Sequence, residues 1–152
     1  MAAPPRICTQ VQVMFFDTDC GGVVSNIAYL RFIEIARTLL AEQLGLALTE
    51  MAKKQTYPVV VRTEIDYRRA ARLGDQLMIE GWLDRLQRAR FWCAFRITRL
   101  ADNVLIAQCR QMLALIEMPE GKLLRLPEHW EDYRKDDSQE FEREISGKGF
   151  TE

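Results

Sequence analysis

Several segments of the chain alternate between apolar and polar residues, which is the pattern of β-strands with one buried face. In residues 57–67, Val59 and Ile65 take odd positions, while Glu64 and Asp66 take even ones. Similar patterns, loosest in the first segment, predict four further strands: residues 7–15, 77–84, 91–99 and 104–117.

Between the first two predicted strands, residues 27–44 follow the 3.6-residue period of an α-helix. Ser25 or Asn26 suits its N-cap, and Gly45 suits the position after its last turn. Because a helix that is apolar on most sides has to be buried, we expect the sheet to wrap around this one. Apolar residues cover most of its circumference and leave a narrow polar stripe: Arg31, Glu34, Thr38 and Glu42.

The order of elements is therefore a strand, a long helix and four strands in a meander. This order indicates an α+β hot-dog fold, in which a curved antiparallel sheet of about five strands wraps around one long buried helix. One domain is expected to span residues 1–134, with a short helix at residues 128–134, and Gly81 is predicted to mark a β-bulge. Residues 135–152 are rich in charge and are predicted to form a flexible tail.

The overall composition excludes several functions. A net charge of -1 and a pI near 6.0 provide no general attraction to nucleic acid or to anionic membranes. No apolar run approaches the roughly 20 residues that span a bilayer, so membrane insertion is not expected. The N-terminus lacks the basic start and apolar core of a signal peptide, which favours the cytoplasm.

The cysteines and the single histidine limit the chemistry further. Cys8, Cys20, Cys93 and Cys109 form no Cys-x-x-Cys pair, so we interpret them as reduced thiols, at least two of them facing the core. Because His129 is the single histidine, any site that needs two histidines is excluded. The polar residues around it in the sequence favour a surface position over a catalytic role.

The segment Asp-Thr-Asp-Cys-Gly-Gly at residues 17–22 lies just before the long helix and carries the candidate chemistry. An ordinary turn and cap is one interpretation, because Asp and Gly are common in both. A magnesium site at Asp17 and Asp19 is less favoured, since no glycine-rich phosphate loop accompanies it. The third interpretation is a reaction centre.

The reaction-centre interpretation depends on position. Unpaired N–H groups at a helix N-terminus favour developing negative charge, and Gly21 and Gly22 leave the backbone open to a ligand. An ionised aspartate can attack an acyl carbon, or take a proton from water, without help from histidine.

Residues 13–38 read VMFFDTDCGGVVSNIAYLRFIEIART, and Leu-Gly-Asp follows at residues 73–75. The Asp-x-Asp, the glycine, the two aliphatic residues, the helix tyrosine and phenylalanine, and Ala-Arg closely resemble the signature of the 4-hydroxybenzoyl-CoA thioesterase family. Within that family, the chain is similar to the acyl-CoA thioesterase branch that includes the Tol-Pal-associated enzymes. The resemblance covers about residues 7–132 in order of elements. It implies hydrolysis of an acyl-CoA thioester to a free acid and coenzyme A.

The resemblance also implies roles for particular residues. Asp19 would be the nucleophile or general base, and backbone N–H groups near Ser25 and Asn26 would polarise the thioester carbonyl. Asp17 would shape the loop. Tyr29 would line the acyl pocket, or it would simply pack in the core. The branch often has Tyr-His where this chain has Ser25-Asn26, so no role of that histidine applies here.

Coenzyme A requires cations for its phosphates, and arginine suits phosphate through its forked donors. The candidates lie at the turn between the third and fourth predicted strands, where related enzymes contact the nucleotide: Arg85, Arg88 and Arg90. The alternative is a solvated basic turn.

Assembly and alternative functions complete the expectations. A curved sheet has unpaired edges, and the resemblance implies a homodimer or homotetramer with active sites at the interface. A non-catalytic acyl-CoA or acyl-carrier binding module is the alternative function. A hydroxyacyl dehydratase is disfavoured, because no histidine lies near the helix. Neither a metal nor a cofactor is expected, since coenzyme A is part of the substrate.

Overall fold

The computed structural model describes residues 3–134, so the predicted tail at residues 135–152 lies outside the described residues. Single 3₁₀ segments cover Phe15–Asp17 and Glu128–Tyr133. The longer elements are, in chain order, β1 (Arg6–Gln12), α1 (Asn26–Gln43), α2 (Leu48–Lys54), β2 (Thr56–Tyr67), β3 (Gln76–Leu86), β4 (Arg90–Arg99), β5 (Leu105–Glu117) and β6 (Lys122–Leu123).

The strands form one antiparallel sheet in the order β1-β3-β4-β5-β2, and the short β6 pairs with the end of β5. Helix α1 contacts β1, β3 and β4. This arrangement confirms the predicted α+β hot-dog fold. The predicted meander of four strands is correct only for β3, β4 and β5, because β2 pairs with β5 rather than with β3. β1 and β2 are the edges of the sheet, and each pairs with one strand among the described residues.

The hydrophobic core lies between one face of α1 and the facing side of the sheet. Removing large side chains such as Phe32 from water contributes roughly 1.5–3 kcal/mol each, so this contact holds the helix on the sheet. The helix contributes Ala28, Tyr29, Phe32, Ile33, Ala36 and Leu40, and β4 contributes alternate residues as predicted: Phe91, Cys93, Phe95 and Ile97.

Helix α1 is buried on fewer sides than its pattern predicted. Ile27 is 74% exposed, Leu30 41% and Ile35 37%. The physical reason is that one sheet covers one side of a helix, and no other element within residues 3–134 covers these three residues. The single chain therefore presents an apolar stripe along α1.

Two local predictions were wrong. The first strand ends at Gln12 rather than at residue 15, because the Val13 N–H donates to the Asp75 carbonyl at 2.9 Å and the chain turns into the 3₁₀ segment. The irregular pairing in β3 falls between Leu83 and Arg85 instead of at Gly81. Gly81 instead makes room for a neighbour, since a Cβ there would lie 2.9 Å from the Phe95 ring.

The C-terminal 3₁₀ segment closes the end of α1 opposite to the acidic loop. Trp130 is fully buried, its indole N–H donates to the Leu44 carbonyl at 3.0 Å, and its ring packs on Phe91. The short helix predicted here is thus confirmed in 3₁₀ form. His129 is exposed at this end, in agreement with its interpretation as a surface residue.

Candidate active site

The acidic segment forms a tight loop whose two arms are hydrogen-bonded to each other. Thr18 and Val24 make an isolated antiparallel bridge, and the Asp19 N–H donates to the Val23 carbonyl at 2.9 Å. One step further out, the Ser25 N–H donates to the Asp17 carbonyl at 2.8 Å. The loop therefore holds Asp19 at its tip, next to the start of α1.

Asp17 is a buried residue, only 2% exposed. One carboxylate oxygen accepts the Met14 N–H at 2.9 Å, and the other accepts the guanidinium of Arg31 from α1. Arg31 also lies over the ring of Phe16, 5.2 Å from its centre. These contacts join the loop to the helix and leave Asp17 no access to a substrate.

Asp19 is exposed, and one of its carboxylate oxygens accepts the Gly21 N–H at 2.8 Å. Glycine suits the next two positions for different reasons. A Cβ on Gly21 would lie 3.2 Å from the Asp19 carboxylate, whereas Gly22 has a φ of +73°, a conformation that side chains disfavour. The glycines thus leave the Asp19 carboxylate uncrowded.

The N-terminus of α1 presents backbone donors beside this loop. Ser25 is the N-cap, and its hydroxyl accepts the Ala28 N–H at 3.3 Å. The N–H of Ser25 is occupied by Asp17, so it is not available to a substrate. Among the described residues, no hydrogen-bond acceptor is found for the N–H groups of Asn26 and Ile27. The N–H groups without an acceptor in this part of the chain are therefore those of Asn26, one of the two residues named from the sequence, and Ile27.

The connection between β2 and β3 packs against the acidic loop. The Val24 N–H donates to the Ala71 carbonyl at 2.8 Å, and Val23 makes a bridge with Arg72. The Ala71 N–H in turn donates to the Tyr29 hydroxyl at 3.2 Å. Burial raises the pKa of the Tyr29 hydroxyl, so this group stays protonated at neutral pH.

A cavity of about 330 Å³ opens where this connection meets the start of α1. The Tyr29 ring lies 5.4 Å from the Tyr67 ring, and the Tyr67 hydroxyl donates to the Asn26 carbonyl at 3.5 Å. Tyr29 therefore both packs in the core and lines the cavity. The complete lining is Val24, Asn26, Tyr29, Tyr67, Arg68, Arg69 and Ala70.

Arg68 and Arg69 were not among the residues predicted from the sequence. The signal that was present is a pair of adjacent arginines directly after a predicted strand, but no sequence spacing connects residue 68 with residue 26. Their position became apparent from the pairing of residues 23 and 24 with residues 71 and 72.

The structure does not bring Arg85, Arg88 and Arg90 to Asp19 within one chain. β3 begins at Gln76, beside the end of β1 that leads into the acidic loop, and ends at Leu86. At about 3.3 Å per residue, the two ends of β3 are on the order of 30 Å apart. The three arginines lie at the far end, where the Arg134 guanidinium donates to the Leu86 carbonyl.

Two further observations concern residues 3–134 only. In this part of the chain, no three His, Cys, Asp or Glu side chains lie together in an arrangement that holds a metal ion. No described helix is both long and apolar enough to cross a bilayer.

An exposed carboxylate beside free helix amides can attack a carbonyl carbon itself or activate a water molecule that does so. The amides bind the carbonyl oxygen in either case. A curved antiparallel sheet on one long helix is the fold of the hot-dog thioesterases. The chain belongs to the thioesterase-like superfamily, whose family model matches residues 13–133. It is a thioester hydrolase.

Individual relatives agree with this placement. The chain is 31% identical over 118 residues to the acyl-CoA thioesterase YbgC of Haemophilus influenzae, covering 77% of this chain and 85% of that protein. It is 26% identical over 121 residues to 1,4-dihydroxy-2-naphthoyl-CoA hydrolase of Synechocystis, covering 79% and 88%. A probable thioesterase of Bartonella henselae has a similar structure, with a TM-score of 0.73 and 32% identity over 81% of this chain and 100% of that one.

Proposed function

We propose that the chain hydrolyses an acyl-CoA thioester to a free acid and coenzyme A, with Asp19 as nucleophile or general base. The observation that carries this proposal is the position of Asp19. Its carboxylate is exposed at the tip of a loop whose second arm leads directly into α1. Asp17, the other carboxylate of the motif, is buried and paired with Arg31, so it is not the reacting group.

The N–H groups of Asn26 and Ile27 supply the electrophilic part of the site. Both N–H groups precede the first intrahelical donor, the Ala28 N–H that bonds to the Ser25 carbonyl, and both lie at the positive end of the dipole of α1. A thioester carbonyl bound there develops negative charge on its oxygen when a nucleophile adds, and the amides stabilise that charge. We therefore assign Asn26 and Ile27 as the donors, with Ser25 as the cap that orders them.

Two routes are consistent with this geometry. In the first, the Asp19 carboxylate adds to the carbonyl carbon, the C–S bond breaks, and water then hydrolyses the resulting anhydride. In the second, Asp19 takes a proton from a water molecule, the water oxygen bonds to the carbonyl carbon, and the C–S bond breaks. In both, coenzyme A leaves as a thiolate that takes up a proton.

The carrier is assigned from the names of the relatives. The Haemophilus protein is named an acyl-CoA thioesterase, and the Synechocystis protein is named for an aryl-CoA substrate. Both names refer to a coenzyme A thioester as the substrate, and they differ in the acyl group. We accordingly propose coenzyme A as the carrier and the 4-hydroxybenzoyl-CoA, Tol-Pal-associated branch as the finer placement. A cytoplasmic location and the absence of a cofactor remain expectations.

We also propose that the active protein is a homodimer or a homotetramer. β2 is an edge strand that exposes Val60 and Val61, and α1 exposes Ile27. A second copy seated on this face would cover the apolar residues and extend the sheet. A role of Arg85, Arg88 and Arg90 in binding coenzyme A would require such a second copy, because they lie at the far end of their own chain.

The test is hydrolysis of a panel of short, long and aryl acyl-CoA thioesters by the wild type and by Asp19→Asn. We expect the substitution to lower kcat by about 100-fold or more, because it removes the base or nucleophile while Asn can still accept the Gly21 N–H. Glu120→Gln, which changes an exposed carboxylate in the β5–β6 turn, serves as the control and should keep wild-type kcat.

Each other outcome has a definite meaning. Full activity of Asp19→Asn would remove Asp19 from the proposed mechanism. A wild type that binds acyl-CoA and hydrolyses none of the panel would favour the non-catalytic binding module. Free thiol release, followed with a chromogenic disulfide, distinguishes these results in a single assay.

A further inference from the structure

The lining of the cavity beside the start of α1 combines aromatic and basic residues. Tyr29 and Tyr67, whose rings lie 5.4 Å apart, contribute to it together with Arg68 and Arg69. The first residue of α1, Asn26, forms another side. Two guanidinium groups and the positive end of a helix dipole thus border one opening, and all of them attract anions.

The two arginines are anchored by their own backbone. The N–H groups of Arg68 and Arg69 both donate to the Ile106 carbonyl, at 2.8 and 3.2 Å. Two residues later, Ala71 accepts the Val24 N–H from the acidic loop. The segment that carries the arginines is therefore tied to β5 on one side and to the loop of Asp19 on the other, and their side chains project from a fixed frame.

No carboxylate of residues 3–134 forms an ion pair with Arg68 or Arg69. Other arginines have carboxylate partners: Arg99 pairs with Asp75 and Asp102, and Arg110 pairs with Asp84. The only side-chain hydrogen bond of the pair within this part of the chain runs from Arg69 to the Arg68 carbonyl at 3.4 Å. Both guanidinium groups consequently have donors available for an external anion.

We propose that Arg68 and Arg69 bind the phosphates of the coenzyme A carrier, and so hold the thioester at Asp19 and the amides of α1. This inference rests on the proposed function and assigns the phosphate contact to the chain that supplies Asp19. Guanidinium groups form forked, charge-assisted hydrogen bonds to phosphate oxygens. The Tyr29 and Tyr67 rings would border the pantetheine arm between phosphate and thioester.

A different anion could in principle use the same site, namely a carboxylate on the acyl group. Thioesters separate the two sources, because acyl-pantetheine contains the thioester and its amide arm but no phosphate. The experiment compares butyryl-CoA, butyryl-pantetheine and succinyl-pantetheine as substrates of the wild type and of Arg68→Ala/Arg69→Ala. Butyryl has no charge, whereas succinyl carries a terminal carboxylate.

For butyryl-CoA, we expect the double variant to raise KM by about tenfold or more with little change in kcat, since two charge-assisted contacts are lost. For both pantetheine thioesters, KM should be unchanged. The KM of the wild type for butyryl-CoA should also rise with ionic strength more steeply than that of the variant, because salt screens exposed charge pairs. Arg68→Lys/Arg69→Lys should recover part of the loss.

Three results would overturn the inference: an unchanged KM for butyryl-CoA, an equal loss on butyryl-pantetheine, or a loss confined to succinyl-pantetheine. Arg125→Ala, an exposed arginine at the far end of α1, is the matched control and should behave as wild type. Arg85→Ala/Arg88→Ala, measured in parallel, shows whether the other arginines bind the phosphates instead, which would also contradict the assignment.

Failure of the proposed function is distinguishable from failure of this inference. If the wild type hydrolyses no thioester, the function fails, and calorimetric titration with coenzyme A alone still tests the arginines. Affinity that falls about tenfold in Arg68→Ala/Arg69→Ala would support the phosphate site in that case. Equal affinity of both proteins would reject it.

Discussion

Asp17 and Asp19 are two residues apart, but their surroundings give them different properties. Asp17 lies under the loop, where it accepts hydrogen bonds from Met14 and Arg31, and it is 2% exposed. Asp19 is at the tip of the same loop and accepts one hydrogen bond from Gly21. One carboxylate therefore holds the loop on α1, and the other is available for chemistry.

This difference predicts that Asp17→Asn lowers stability, whereas Asp19→Asn does not. Loss of the Asp17 charge leaves the Arg31 guanidinium against a neutral amide, and we expect the free energy of unfolding to fall by about 1–3 kcal/mol. Urea unfolding followed by circular dichroism measures this value. Asp19→Asn should stay within about 0.5 kcal/mol of the wild type, as is usual for exposed positions. Equal stability of the two variants would contradict the division of roles.

At the scale of secondary-structure elements, periodicity was sufficient for the long elements. β3 and β4 repeat their period of two over three or more alternations, and α1 repeats its period of 3.6 over three or more turns. All three elements lie where they were predicted. α2 and β6 were not predicted, because seven and two residues are too short to display a period. β1 ends early because the next residue, Val13, donates its N–H to the carbonyl of Asp75, which lies in a distant part of the chain.

The candidate site was predictable where its parts are neighbours in sequence. The acidic loop, its glycines and the start of α1 lie within ten residues, so local pattern and the resemblance identified them together. The contacts of Ala71 with Val24 and Tyr29 connect segments more than forty residues apart. Such contacts follow from strand pairing in three dimensions, and they place Arg68 and Arg69 beside the start of α1.

The placement of the thiols on the sheet leads to a third prediction, at the same scale. Cys93 in β4 and Cys109 in β5 are buried, whereas Cys8 in β1 and Cys20 in the acidic loop are exposed. Burial raises the pKa of Cys93 and of Cys109 to about 12, so both remain protonated at pH 8. We expect Ellman's reagent at pH 8 to modify two thiols of the native protein rapidly, and all four after denaturation.

The same pKa shifts determine how stability depends on alkaline pH. An unfolded thiol loses its proton near pH 8.5, whereas Cys93 in the native state keeps its proton up to about pH 12. The unfolded state therefore binds fewer protons in this interval, and the free energy of unfolding should fall as the pH rises through it. Cys93→Ala should make that fall less steep. Rapid reaction of four thiols in the native protein would contradict the burial of both residues.

At the scale of the whole molecule, several large apolar residues are exposed beside the acidic loop, along α1 and on the edge strand β2. Phe15 and Phe16 beside the acidic loop are 81% and 76% exposed, and Ile27 and Leu30 line the outer side of α1. The edge strand β2 adds Val60 and Val61. A soluble monomer seldom exposes a patch of this kind without a use, so this face is the one that we expect a second copy to cover.

A charge placed on the edge of β2 should therefore disrupt assembly. We expect the wild type to have a mass in solution of at least twice the 17.7 kDa of one chain, and Val60→Asp/Val61→Asp to shift it towards a single chain, because buried aspartates at a strand-to-strand contact are costly. Light scattering coupled to gel filtration measures both masses. Leu123→Asp, at an exposed apolar residue of β6, is the control and should leave the mass unchanged. A wild type that elutes as one chain would reject assembly, and an active Val60→Asp/Val61→Asp monomer would show that one chain contains a complete site.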